Sequence, residues 1–193
     1  MTTEVKSGVA MAVKARIFGS LVASLAAFVP SATQAVQLAD GTVHFVGVPR
    51  LLQARTTNKD AGDFGATYYF TLSVPDDAGE PLQRVMFEQR EGLNRVKFLP
   101  QRTRAFADQR RRQPVIPSDV QIDEQGRVSV WFDPPIAPGE TLVVGLRPRR
   151  NPYTDGVYLF GVTAFPAGEK SQGQFLGFGR LHFYDNFRFH SAW

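Results

Sequence analysis

The segment Gly156–Asp185 constrains the fold more than any other part of the chain. It is the densest in aromatic and apolar residues, and it predicts two buried strands, Val157–Phe165 and Gln174–Tyr184. Between them, Pro166–Gly173 is polar and rich in turn-forming residues, so it predicts the connecting loop. We therefore expect these two strands to lie at the centre of a β-rich core.

Strand patterns also dominate the chain before this segment. Apolar residues in alternation or in short runs predict strands at Thr42–Val48, Ala66–Val74, Leu82–Glu88, Val96–Leu99, Val120–Asp123, Arg127–Asp133 and Thr141–Leu146. Irregular connections are predicted at Gln53–Gly65, at Arg102–Gln113 and at the proline-rich segment 134–139. For Arg102–Gln113 a short helical turn is the alternative to a long loop.

No segment after residue 35 has the pattern of an amphipathic helix. Short strands separated by proline and glycine turns are typical of an all-β fold. The sequence therefore predicts a single antiparallel β-sandwich, immunoglobulin-like or of the Greek-key type. A closed barrel is the alternative, because the strand spacing is compatible with both.

The first 35 residues predict a cleaved signal peptide. Two basic residues precede the apolar run Ile17–Val29, and a small-residue end follows at Ala35. The run is shorter than the roughly 20 residues of a membrane-spanning helix, although an uncleaved anchor or a cut after Ala32 are alternatives. We expect an exported protein of the periplasm or cell envelope, or of the thylakoid lumen, with a β-sandwich domain at residues 36–185 and a tail at 186–193.

Composition excludes several classes of function. The chain has no cysteine, which excludes disulfides, thiolate catalysis and cysteine-ligated metals. The part after residue 35 carries 19 basic and 17 acidic residues, a formal net charge of +2. So mild a charge makes nucleic acid an unsuitable partner. No apolar segment after residue 35 is long enough to span a membrane, and no cofactor is expected.

Arginines are concentrated in two turns. The first turn holds Arg102, Arg104, Arg110, Arg111 and Arg112, and the second holds Arg147, Arg149 and Arg150. Guanidinium groups bind carboxylate and phosphate well. The two turns therefore predict a binding surface for an acidic protein, an acidic glycan or a lipid head group, with Tyr153 and Trp131 as candidate anchors. A solvated surface balanced by nearby carboxylates is the alternative.

Histidines and carboxylates offer two further hypotheses. A copper or zinc site needs converging ligands, and His44 and His182 would meet only if the first and last strands pair. A hydrolase would need a nucleophile with a base, or two carboxylates in one groove. No serine lies in a Gly-x-Ser-x-Gly motif, and the carboxylates fall mostly at turns: Asp133, Asp155, Glu169 and Asp185. The sequence therefore favours a non-enzymatic protein.

Four segments also resemble a known family. They are VQLADGTVHFVGVPRL, GATYYFTLSVPDDAGEPLQRVMFEQREG, WFDPPIAPGETLVVGLRPRRNP and GVYLFGVTAFPAGEKSQGQFLGFGRLHFYD, which together run from about Val36 to Asp185. The chain resembles the secreted, mainly cyanobacterial domain family of unknown function number 2808. This resemblance implies an exported protein of a photosynthetic bacterium, and it implies no activity or site residue.

Overall fold

The computed structural model describes residues 41–107 and 113–185. The predicted signal peptide, the tail at 186–193 and the arginines 110–112 lie outside these residues. Ten strands are described: β1 (Arg50–Thr56), β2 (Tyr68–Ser73), β3 (Leu82–Glu91), β4 (Arg104–Ala107), β5 (Gln113–Val115), β6 (Pro117–Ile122), β7 (Val128–Ile136), β8 (Thr141–Leu146), β9 (Gly156–Pro166) and β10 (Gln174–Phe183). A 3₁₀ turn at Pro100–Arg102 is the one helical element of the described residues.

The strands form two antiparallel sheets of five strands each. The first sheet has the order β1-β2-β8-β4-β5, and the second has the order β10-β9-β3-β7-β6. Each sheet joins two pairs of consecutive strands, β1-β2 and β4-β5 or β9-β10 and β6-β7, through a central strand from a distant part of the chain, β8 or β3. The prediction of a single antiparallel β-sandwich is confirmed.

The core lies between the two sheets, where the inward residues of alternating strands meet. Tyr68 and Phe70 of β2 contact rings of the opposite sheet, and the ring centroids of Phe70 and Phe87 are 4.7 Å apart. Phe160 lies 5.9 Å from Tyr68 and 6.0 Å from Phe70. All four rings are buried, so aromatic packing supplies much of the contact between the sheets.

The central hairpin predicted from the sequence is present. Strands β9 and β10 pair along their length, from Gln174 opposite Ala164 to Phe183 opposite Gly156. Inward residues Phe160, Val162 and Ala164 are completely buried. Strand β3 pairs with the other side of β9, which makes β9 an interior strand and explains its dense apolar sequence.

The predicted strand Thr42–Val48 is wrong. Val43 forms one isolated bridge with Ser171, and the N–H groups of Val46 and Gly47 donate to the carbonyls of Ala78 and Asp77. The segment therefore crosses the ends of two separate turns instead of following one neighbouring strand. Its apolar alternation resembles a strand because some of its side chains are half-buried against those turns.

Two segments predicted as loops contain strands. Residues 53–56 belong to β1, an edge strand whose polar side chains face solvent, with only Leu51 and Ala54 packed on the core. Within Arg102–Gln113, β4 buries Ala105 and Ala107, whose small side chains give a weak strand signal. Val96–Leu99 forms only an isolated bridge, Phe98 opposite Pro148.

The proline-rich segment 134–139 was predicted as a crossing, but β7 continues through its first residues to Ile136. The register of β3 against β7 shifts between Leu82 and Arg84, opposite this part of β7. Prolines are tolerated there because the ladder hydrogen bonds are already interrupted.

The register places the connecting loops at two ends of the sandwich. At one end lie the loops that leave β1, β3, β6 and β8, at residues 57–67, 92–103, 123–127 and 147–155. At the opposite end lie residues 41–49, 74–81, 137–140 and 167–173. We call the first group of loops the loop end, because it contains the candidate site.

Candidate functional site

A groove of about 670 Å³ crosses the loop end. Three loops that are distant in sequence contribute cationic and aromatic side chains to it. We call this surface the cationic groove and define it by Phe64, Arg95, Lys97, Arg149, Arg150 and Tyr153. A neighbouring depression of about 490 Å³ shares Arg95, Lys97 and Arg149 with it and extends toward the β6–β7 turn.

Arg150 joins two of the loops through its contacts with aromatic rings. Its guanidinium carbon lies 4.1 Å from the ring centroid of Phe64 and 4.7 Å from that of Tyr153. Its Nη1 also donates a hydrogen bond to the Tyr153 hydroxyl. Both rings remain more than 60% exposed, which leaves apolar surface beside the positive charge.

The buried side chain of Asn151 fixes the position of Arg150. Its Oδ1 accepts a hydrogen bond of 2.9 Å from the hydroxyl of Tyr68 in the core. Its Nδ2 donates to the carbonyls of Asp60 at 2.9 Å and Asn58 at 3.2 Å. Asn151 therefore ties the β8–β9 loop both to the core and to the β1–β2 loop, which carries Phe64.

Gln89 holds the third loop in the same way. Its Oε1 accepts a 2.8 Å hydrogen bond from the backbone of Val96, and its Nε2 donates to the carbonyl of Asn94 at 2.8 Å. Arg95 donates back to the Gln89 carbonyl at 2.7 Å. Because Gln89 is buried at the end of β3, the loop that carries Arg95 and Lys97 is anchored to the sheet.

The electrostatics of the cationic groove are one-sided. Four cationic side chains line it, and no acidic side chain of the described residues does. None of the four forms an ion pair with a carboxylate in the described part of the chain. Glu124 lines the neighbouring depression. Such a surface attracts anions at a distance and holds them in contact.

The structure separates the predicted arginines into two groups. Arg149 and Arg150 line the cationic groove. Arg102, Arg104 and Arg147, from both predicted turns, line a smaller cleft on the outer face of the first sheet. Arg110, Arg111 and Arg112 lie outside the described residues, so their part in the binding surface stays a prediction.

Sequence reasoning missed Phe64, Arg95 and Lys97. Phe64 lies in a polar loop, Arg95 and Lys97 flank Val96 at a predicted short strand, and nothing in their spacing connects them to Arg149 or Arg150. The predicted anchor Tyr153 is in the groove. Trp131, the other predicted anchor, is half-buried on the outer face of the second sheet, with its ring 4.6 Å from the Arg84 guanidinium carbon.

Burial raises the pKa of two tyrosines below the groove. The pKa of Tyr68 lies far above its usual value, mainly because burial disfavours the phenolate. Burial also raises the pKa of Tyr158, whose hydroxyl donates to the Thr154 carbonyl at 3.0 Å. Both residues are therefore neutral hydrogen-bond donors that support the loops.

The structure does not bring His44 and His182 together. His44 follows Val43, which bridges to Ser171 beside the start of β10. His182 pairs with Val157 near the other end of that strand. The strand has 10 residues, so roughly 30 Å separates its ends at about 3.3 Å per residue. Within residues 41–107 and 113–185, no group of three or more metal-ligating side chains is placed to hold an ion.

The carboxylates named from the sequence are also dispersed. Asp133 and Glu169 lie in β7 and in the β9–β10 loop, Asp185 follows β10, and Asp155 lies in the loop before β9. Asp155 shares a shallow depression of about 430 Å³ with Glu91. Both side chains are exposed, unlike the desolvated general acids of carboxylate-based hydrolases.

In the described part of the chain, no helix has the length and hydrophobicity needed to cross a membrane.

Comparison with known proteins matches the sequence to a family. A family model described as "Protein of unknown function (DUF2808)" matches residues 42–183. No curated protein matches the chain.

Similar solved structures share little sequence with this chain. The collagen-binding domain from a Staphylococcus aureus adhesin is 5% identical, with a TM-score of 0.40 over 69% of this chain and 95% of that one. The collagen-binding subdomain of the Enterococcus faecalis surface protein ACE is 3% identical, with a TM-score of 0.40 over 67% and 92%. An uncharacterized Nocardia farcinica protein with an immunoglobulin-like fold is 13% identical, with a TM-score of 0.33 over 68% and 98%. Likeness at this level says nothing about what the chain binds.

Proposed function

We propose a function from the surface of the chain itself, because the chain belongs to a family whose description, protein of unknown function (DUF2808), assigns no activity. We propose that it is an exported, non-enzymatic binding domain that uses the cationic groove to hold an acidic partner protein of the periplasm or cell envelope. The observation that carries this proposal is the groove itself, with four cationic side chains, two exposed rings and no acidic lining residue among those described.

The construction of the groove supports binding more than a passive charged surface. Exposed arginines on a solvated surface are usually mobile and lose side-chain entropy when they bind. Here Arg150 is held by two rings, and Arg95 is held by the Gln89 carbonyl. The loops beneath them are fixed by the buried Asn151 and Gln89. This preorganisation reduces the entropy lost on binding.

A protein partner suits the composition of the groove. Arginine and tyrosine are the residues that most often concentrate the energy of protein interfaces, and both are present in the groove. Exposed Phe64 adds an apolar contact that a purely electrostatic surface would lack. The exported location rests on the signal peptide predicted for residues 1–35.

The experiment is affinity capture of the full-length tagged protein from the envelope of its native host, at low and at high salt. The test variant combines Lys97→Gln with Arg149→Gln, because both side chains are exposed and neither makes a described hydrogen bond through its side chain. The control variant is Arg50→Gln, an exposed arginine at the opposite end of the sandwich. We expect one specific protein partner, released by salt and lost from the test variant only. Equal retention by all three proteins would refute the proposal.

A further inference from the structure

A second cationic site lies on the outer face of the first sheet. It is a cleft of about 350 Å³, with mostly polar walls, and no acidic side chain of the described residues lines it. We call it the arginine cleft and define it by Thr67, Tyr69, Gln101, Arg102, Thr103, Arg104 and Arg147. It shares none of these residues with the cationic groove.

The register of the sheet sets the spacing between the two walls of the cleft. Gly145 of β8 pairs with Tyr69 of β2 on one side and with Arg104 of β4 on the other. The backbones of Tyr69 and Arg104 are therefore separated by two strand spacings, about 10 Å, and Gly145 between them has no side chain. A Cβ on residue 145 would lie 2.8 Å from Tyr69 Cε1 and 3.2 Å from Thr67 Cγ2, so glycine makes room for the Tyr69 ring and Thr67 to pack over this point of the sheet as one wall of the cleft.

Two contacts hold one wall of the cleft in place. The guanidinium carbon of Arg55 lies 4.6 Å from the ring centroid of Tyr69 and fixes that ring against the sheet. Arg147 Nη1 donates to the Gly65 carbonyl and, at 3.3 Å, to Thr67 Oγ1. One edge of the Arg147 guanidinium is thus occupied, and its other nitrogens have no acceptor among the described residues.

The opposite wall is free to bind. Arg102 and Arg104 are exposed, and neither side chain forms a hydrogen bond or an ion pair with any residue in the ranges 41–107 and 113–185. The short 3₁₀ turn at Pro100–Arg102 and the start of β4 place both side chains at the same rim. Three guanidinium groups from two distant segments therefore line one small volume.

We propose that the arginine cleft binds a phosphate group. Three positive charges exceed what one carboxylate neutralises, whereas a phosphate carries a charge of about −1.5 to −2 near pH 7. Its several oxygens can accept hydrogen bonds from different directions, and arginine forks match this geometry. The hydroxyls of Thr67, Thr103 and Tyr69 supply further donors at the walls. The small volume suits one phosphate group with the alcohol to which it is esterified.

The ligand has two possible sources with the same chemistry, free inorganic phosphate or a phosphate ester on a larger molecule. Isothermal titration calorimetry of the full-length protein at low salt, with inorganic phosphate and with glycerol 3-phosphate as the titrants, distinguishes the two sources. Tighter binding of the ester supports a phosphate carried by a larger molecule. Equal or tighter binding of inorganic phosphate supports the free ion. Acetate serves as the carboxylate control and is expected to bind at least tenfold more weakly.

Variants locate the binding in the cleft. Arg102→Gln combined with Arg104→Gln is expected to weaken phosphate binding at least tenfold, because both free guanidinium groups are lost. Arg50→Gln, an exposed arginine at the opposite end of the sandwich that lines neither the groove nor the cleft, is expected to leave phosphate affinity unchanged. Circular dichroism confirms that each variant is folded. Unsaturable phosphate binding, equal affinity for acetate, or equal weakening by both variants would overturn the proposal, and none of these results bears on partner capture by the groove.

Discussion

Replacement of Asn151 by alanine tests whether one buried side chain holds the loop end together. Asn151 is 1% exposed and makes three hydrogen bonds, to the Tyr68 hydroxyl and to two carbonyls of the β1–β2 loop. In the variant, the buried Tyr68 hydroxyl loses the acceptor of its hydrogen bond. Leaving such a group unsatisfied costs about 1–3 kcal/mol.

The two carbonyls contribute less to the loss of stability. Asn58 and Asp60 are half-buried, so water can replace part of each lost hydrogen bond, at about 0.5–1 kcal/mol apiece. Together these effects predict a loss of about 3 kcal/mol in the free energy of unfolding. For a domain of this size, that loss lowers the melting temperature by about 6–12 °C.

Urea denaturation of four proteins measures the effect as a double-mutant cycle. The four are the wild type, Asn151→Ala, Tyr68→Phe and the double variant. Because the double variant leaves no unsatisfied hydroxyl, its loss should be about 1–2 kcal/mol smaller than the sum of the single losses. Gln53→Ala, at an exposed position of β1, is the control and should change stability by less than about 0.5 kcal/mol. Additive losses, or a loss below about 1 kcal/mol in Asn151→Ala, would refute the anchoring role.

Two further predictions concern the support of the same loops. Gly92→Ala should destabilise the fold by about 2–4 kcal/mol in urea, because its φ is +124° and a Cβ would lie 2.1 Å from the Tyr158 ring. Gly126→Ala, where φ is +78° and no atom lies within 4 Å, should cost only about 1 kcal/mol, and a reversed order would contradict the packing described. Stability should also fall as pH rises above about 10, because tyrosines ionise there in the unfolded chain while burial keeps Tyr68 neutral in the folded one. Alkaline denaturation of Tyr68→Phe should show a slope lower by about 1.4 kcal/mol per pH unit than the wild type, and identical slopes would argue against a buried neutral tyrosine.

The sequence identifies the parts of the fold whose burial is complete. The hairpin of β9 and β10 is predictable because its strands carry continuous apolar residues. Strand β1 is not predictable, since an edge strand keeps one face in water and its polar residues resemble a loop. Conversely, Thr42–Val48 has strand-like alternation, but its neighbours are two separate turns.

The candidate site is less predictable than the fold, for a different physical reason. The sequence shows the arginines of the second turn, but their division between a groove and a cleft depends on the antiparallel bridge of Phe98 with Pro148. Phe64 reaches Arg150 only because Asn151 ties together loops through residues more than 90 positions apart in the chain. Tyr69 and Arg104 flank Gly145 only because β2 and β4 pair with the two sides of β8. Each of these relations exists only after the sheets have formed.

Site-directed photo-crosslinking in the native host tests the central claim, that an acidic partner protein occupies the cationic groove. The crosslinker p-benzoylphenylalanine replaces Tyr153 in the groove, and in a control it replaces Val46 at the opposite end. Both positions are exposed, at 66% and 53%. We predict a crosslinked protein from position 153 that disappears at high salt, and none from position 46. The same crosslinks from both positions, or crosslinks from position 46 alone, would contradict binding in the groove.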